Sequence, residues 1–138
     1  MRTWGIHHFD LVVSSLERSL PLYRQMLEPL GYTGTAEITG EQEEQVVYLN
    51  GPGKVSFSLR EAKTPGDYDR YRVGIHHVAF AAGSRELVDD RFAWARAAGL
   101  EIESEPREYD YMPGYYAVFF YDPDGIKLEL LHLPDREL

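Results

Sequence analysis

Gly74-Ile75-His76-His77-Val78-Ala79-Phe80 decides how this chain is read, because Gly5-Ile6-His7-His8-Phe9-Asp10-Leu11 has already said nearly the same thing. The tetrapeptide Gly-Ile-His-His recurs 69 positions on, in a chain of 138 residues that has 5 histidines, four of them in these two copies. Such self-similarity at half the chain length marks an internal duplication. The echo continues outward. Ser14-Ser15-Leu16-Glu17 stands opposite Gly83-Ser84-Arg85-Glu86 at the same offset of 69, and Gly31 answers Gly99 at 68. Asn50-Gly51-Pro52-Gly53-Lys54-Val55 answers Asp122-Pro123-Asp124-Gly125-Ile126-Lys127 at 72. A drift of a few residues is what loop insertions leave behind.

Each copy predicts one β-α-β-β-β module. Ile6–Val13 is a β-branched and aromatic run, hence a strand. Ser14 with Glu17 predicts a capping box, and Leu16, Leu20, Tyr23, Leu27 and Leu30 form the apolar stripe of the helix that follows. Pro21 implies a kink, or a helix that starts near Ser19. Gly31 stops it. Strands follow at about 33–38, 45–50 and 54–60, the first two joined across Glu41-Gln42-Glu43-Glu44, which reads as a solvated hairpin tip. The second copy restarts with a strand over 74–82 and a helix over 84–98, its inward face Leu87, Val88, Phe92 and Ala95. A strand near 100–104, a loop over 105–116, and a hairpin of 115–121 with 126–133 complete it. The expected fold is α+β: two modules, 1–61 and 74–138, joined by the polar stretch 62–73, their eight strands in a curved mixed sheet around a cleft with the helices outside.

Composition narrows the class. The 15.9 kDa chain is 43% hydrophobic, enough for a packed interior. A net charge of −9 argues against a nucleic-acid partner. No apolar run approaches the roughly 20 residues of a membrane span. Met1-Arg2-Thr3-Trp4-Gly5 runs straight into the first strand with no secretory h-region, and cysteine is absent, so a cytoplasmic location is expected.

Strand alternation singles out candidates for chemistry. Ile6, His8, Asp10 and Val12 share one face of the first strand, opposite the more apolar His7, Phe9, Leu11 and Val13. Ile75, His77, Ala79 and Ala81 do the same in the second copy, making His77 the mate of His8. In Ile126-Lys127-Leu128-Glu129-Leu130, the acid Glu129 lies opposite an apolar face, a costly position unless it is paired or bound to a metal. If the modules bring their open faces together, His8, His77 and Glu129 make a facial set of two imidazoles and one carboxylate with coordination positions left for substrate. Such a set suits Fe, Mn, Ni or Zn.

The repeat, the opening Ile-His-His-Phe-Asp-Leu-Val-Val, the middle His-His-Val-Ala-Phe and the closing Phe-Phe-Tyr-Asp-Pro-Asp-Gly-Ile-Lys-Leu-Glu-Leu together resemble the vicinal oxygen chelate superfamily. That superfamily includes glyoxalase I, extradiol dioxygenases, fosfomycin-resistance enzymes and bleomycin-resistance proteins. The resemblance implies His8, His77 and Glu129 as metal ligands, a small-molecule substrate and a homodimer. Counting four on from Gly53, as Glu129 counts from Gly125, reaches Phe57, where glyoxalase I resembles a version with a second acid. Phe57 can neither bind metal nor move a proton, and is expected to face substrate instead.

The resemblance implies a lyase or isomerase acting on a substrate that chelates the metal through adjacent oxygens. An Fe(II) ring-cleaving dioxygenase and a drug- or metabolite-binding protein without turnover are the alternatives. Proton transfer needs a base, and the candidates are Asp10 and the tyrosine or glutamate side chains of the loop over 103–114, Tyr109 and Tyr111 above all. Arg107 and Tyr115 are expected to meet the substrate, the first through an anionic group.

Overall fold

The computed structural model describes residues 5–134, so the stretch Met1–Trp4 read above as leading into the first strand lies outside the described residues. The chain forms two compact units, Met1–Gly66 and Asp67–Leu138.

The first unit runs β1 (His8–Val13), α1 (Leu16–Leu27), β2 (Gly34–Thr39), β3 (Gln45–Asn50) and β4 (Ser56–Glu61). Its sheet has the order β1-β4-β3-β2, with β1 parallel to β4 and the other pairs antiparallel. The second unit repeats this as β5 (His77–Ala81), α2 (Arg85–Ala97), β6 (Ile102–Glu108), β7 (Tyr116–Tyr121) and β8 (Lys127–His132), in the order β5-β8-β7-β6. The α+β fold of two β-α-β-β-β modules is therefore present, its eight strands hydrogen-bonded as two mixed sheets of four.

Local chemistry explains the boundaries. Ser15, not Ser14, caps α1 by accepting from the Arg18 amide at 3.2 Å, and its mate Ser84 caps α2 through Leu87 at 3.1 Å. The Ser14 side chain instead accepts from the Arg18 guanidinium at 2.9 Å. Pro21 lies inside α1, which starts at Leu16 rather than near Ser19. The ring sits on the exposed side of the helix, where water can serve the Glu17 carbonyl that lacks its i+4 donor. Gly31 ends the following turn in the left-handed conformation, φ 101°.

Each sheet buries one face under its helix. In the first unit Leu11, Val13, Phe57 and Leu59 pack there with Tyr23 and Leu27 of α1, all nearly inaccessible. In the second, Phe80, Leu128 and Leu130 do so with Val88 and Ala95 of α2. The opposite faces hold His8, Asp10 and Val12, and His77, Ala79 and Ala81, as alternation requires.

Two features distinguish the second unit. The first unit's β2 pairs with β3 without interruption, whereas β6 shifts register against β7 twice, between Ile102 and Ser104 and between Ser104 and Arg107. The connection that follows is also longer: residues 109–115 join β6 to β7, where 40–44 join β2 to β3. Residues 105–108, expected as loop, are thus the end of a bulged strand.

Candidate functional site

Parallel pairing of β5 with β8 sets His77 beside Lys127 and Ala79 beside Glu129, all on the face away from α2. His77 Nε2 lies 3.1 Å from Glu129 Oε1, and the Tyr115 hydroxyl donates to Glu129 Oε2. Glu129 is only 3% exposed, so these contacts are what make a buried acid tolerable. The other nitrogen of His77, Nδ1, is 2.9 Å from His76 Nδ1. One ring of that pair carries the hydrogen and the other the lone pair.

The His77–Glu129 pair fits a metal ion. Two donors each about 2.1 Å from one ion, at about 90° to each other, lie about 3 Å apart. The observed separation of 3.1 Å needs no rearrangement to meet that figure. Among the described residues, however, no group of three or more histidine, aspartate or glutamate side chains is gathered closely enough to hold a metal.

His8 opens β1 and is exposed. Its Nδ1 lies 3.0 Å from His7 Nδ1, the same dyad that His76 and His77 form, and its ring meets Tyr48 at 5.9 Å. His8 pairs with Ser56 and Asp10 with Ser58, as His77 pairs with Lys127 and Ala79 with Glu129. The residue standing where Glu129 stands is therefore Ser58. Phe57 faces α1 instead, 2% exposed, stacked on Phe9 at 5.7 Å and 5.6 Å from Tyr23. This corrects the expectation that Phe57 meets substrate. The slip is one residue, because the turns align on Pro52 and Pro123. Gly51 N bonds Val55 O at 2.8 Å as Asp122 N bonds Ile126 O at 3.0 Å, and Lys54 takes the left-handed φ of 62° where Gly125 has 81°.

Asp10 is heavily engaged. It accepts from Ser58 Oγ at 2.9 Å and from the Arg60 guanidinium at 3.3 and 2.5 Å. Arg60 also meets Glu41 at 3.1 Å and Glu44 at 2.7 Å. The acidic hairpin tip thus has its counterion within the chain, and Asp10 above all holds the Arg60 pKa above its ordinary value. Arg60 stands beside Val12 in the β1–β4 register, a neighbourhood that alternation within one strand does not show.

The second unit also contains an open cavity of about 560 Å³, a size typical of small-molecule sites. His77 and Glu129 lie in it, and the expected wall residues gather round them. Tyr109 stacks on Tyr111 at 5.3 Å and 6°, and Tyr115 meets Tyr111 edge-on at 5.2 Å. The Tyr109 hydroxyl bonds Ser104 at 2.9 Å, while the Arg107 guanidinium lies over the Tyr109 ring at 4.6 Å. Tyr109 holds the Arg107 pKa above its usual range. Lys127, absent from the candidates although it alternates with Glu129, pairs with Glu103 at 3.0 Å and covers Phe119 at 4.7 Å.

A model of the Glyoxalase/Bleomycin resistance protein/Dioxygenase superfamily matches residues 5–130. The chain is 33% identical to YqjT of Bacillus subtilis over 129 residues, 91% of this chain and 97% of that one. Among solved structures it is similar to a glyoxylase/bleomycin resistance protein/dioxygenase domain from Frankia sp. EAN1pec, with TM-score 0.77 and 24% identity over 96% of this chain and 94% of that one. It is also similar to the fosfomycin resistance protein FosX of Listeria monocytogenes, with TM-score 0.67 and 21% identity over 98% and 97%. At such identities the two structural matches speak for the fold.

Proposed function

Since the chain belongs to the Glyoxalase/Bleomycin resistance protein/Dioxygenase superfamily, we propose that it is a divalent-metal enzyme of lyase or isomerase type acting on a small substrate with adjacent oxygens. The observation that supports this best is the His77–Glu129 pair, 3.1 Å apart and set in a cavity walled by tyrosines. His77 and Glu129 would hold the ion, with its remaining positions left to substrate and water. The ion, once bound, would supply Lewis acidity to the oxygens of the substrate.

The chain's own residues divide the remaining tasks. Tyr115 fixes the carboxylate of Glu129 by donating to the oxygen that His77 does not use. His76 orients His77. A ring that ligates through Nε2 carries its hydrogen on Nδ1, which His76 Nδ1 is placed to accept. The Tyr109 and Tyr111 hydroxyls would take part in proton transfer, since both line the cavity while Asp10 is committed to Arg60.

Metal content after purification without chelator tests the reading. The wild type should hold about one divalent ion per chain, and His77→Ala and Glu129→Ala should each lose it while keeping the wild-type circular dichroism. Wild-type protein that takes up no ion on reconstitution, or a Glu129→Ala variant that binds as well, would refute it. Oxygen uptake with catechols is expected to be nil; uptake would identify the dioxygenase alternative.

A further inference from the structure

We propose that the substrate is a small planar acid, whose carboxylate is received by Arg107 while its adjacent oxygens face His77 and Glu129. The inference rests on the metal-site reading above and names the substrate class for it. Its first support is charge. The ionisable side chains lining the cavity besides the imidazoles and phenols are Arg107 and Lys127 against Glu103 and Glu129, a balance of zero. A divalent ion would bring the cavity to about +2, in a chain whose net charge is −9. An anion is therefore favoured in the loaded cavity.

The second support is availability. Lys127 is committed to Glu103, and Glu129 to His77 and Tyr115. Among the described residues no carboxylate pairs with Arg107. Its guanidinium carbon lies 4.6 Å from the centre of the Tyr109 ring and the group bonds Tyr109, and with five N–H donors in a fork it keeps enough of them to meet a carboxylate.

The third support is construction. Arg107 and Ser104 lie at the register shifts of β6, and both line the cavity. Bulges re-aim side chains, and the first unit has neither the bulges nor the longer connection in the corresponding place. The residues that the second half has gained over the first are thus concentrated along one wall. That wall is aromatic, with Tyr109 and Tyr111 stacked within 6° of parallel, which favours a flat skeleton.

The test uses zinc-loaded protein and calorimetric titration with catechol, 2,3-dihydroxybenzoate and 3,4-dihydroxybenzoate, which share an oxygen pair and differ by the carboxylate. At least one of the acids should bind about tenfold or more tightly than catechol. Arg107→Gln should abolish that preference with catechol binding and zinc content unchanged, and Arg107→Lys should restore part of it. Equal binding of all three by the wild type, or a preference that survives Arg107→Gln, would overturn the proposal. Failure to load zinc would instead overturn the metal reading beneath it.

Discussion

Asp122→Ala should cost about 2–4 kcal/mol of stability, and the reason lies in one carboxylate oxygen. Asp122 Oδ1 accepts from the Asp124 amide at 2.8 Å and from the Ile126 amide at 2.9 Å, and the residue is 7% exposed. Hydrogen bonds to a charged group contribute about 1.5–3 kcal/mol each, and an orphaned buried amide costs about 1–3. Water can recover the Asp124 amide, which is only partly buried, but not the buried Ile126 amide. The first unit shows the one way to relax. There Gly51 takes the place of Asp122, and the Val55 amide bonds Pro52 O at 3.3 Å instead. Rearrangement to that turn would cut the loss to about 1 kcal/mol, the net worth of a neutral bond. The native turn should hold, since the first unit's turn sets Gly53 at a left-handed φ of 64°, where the second unit has Asp124. Urea melts of the variant should show the larger loss, with Tm lower by about 6–12 °C at about 3 °C per kcal/mol for a chain of this size. Asp122→Asn keeps the acceptor and should lose about half as much. A loss below about 1 kcal/mol in the alanine variant would refute the reasoning.

Lys54→Gly should stabilise the protein by about 0.5–1 kcal/mol, because Lys54 holds φ at 62° where its counterpart is Gly125; a lower urea midpoint would contradict this. Tyr115→Phe leaves the Glu129 oxygen without its donor, and metal affinity should fall about tenfold with ligand number intact, as competition against a chelator would measure. Unchanged affinity would deny Tyr115 its positioning role. Backbone N–H groups at Glu44 itself and at Gln42, aided by Arg60 and opposed by burial, hold the Glu44 carboxyl below its ordinary 4.5. A lowered folded-state pKa stabilises above about pH 4.5 and loses that contribution as the pH falls through the lowered value. Glu44→Gln should therefore show a shallower fall in stability below that pH than wild type; identical slopes would rule the contribution out.

The sequence made the repeated pattern readable where local rules act alone. Period-two alternation placed His8 and His77 on open faces, Glu129 opposite its apolar neighbours, and Gly31 and Gly99 at helix ends, because each depends only on adjacent residues. Phe57 escaped because the rule used for it was a count from a glycine. The counterpart of Gly125 is Lys54, not Gly53 one residue before it, so a count begun at Gly53 stops one residue short. Pairing, which no count sees, puts Ser58 there and explains why the first sheet has no acid to match Glu129. The pairing of Asp10 with Arg60 escaped for a related reason: the two lie 50 residues apart and meet only through the β1–β4 register.

The drift between the copies has the same origin and a functional meaning. Ile102, opposite Phe120, corresponds by pairing to Thr35 opposite Leu49, an offset of 67, and Glu108 to Thr39, an offset of 69. Beyond the longer connection, Tyr116 corresponds to Gln45 at 71. Two residues enter as bulges in β6 and two more in the tyrosine-bearing connection, all along the cavity wall. A sequence comparison records these as loop insertions of no particular consequence. Against the pairing they are what sets Arg107, Tyr109 and Tyr111 around the His77–Glu129 pair in one of two like modules. Restoring the first unit's lengths by deleting the extra residues of the 109–115 connection should therefore leave β7 and β8 paired and abolish the selectivity for acids.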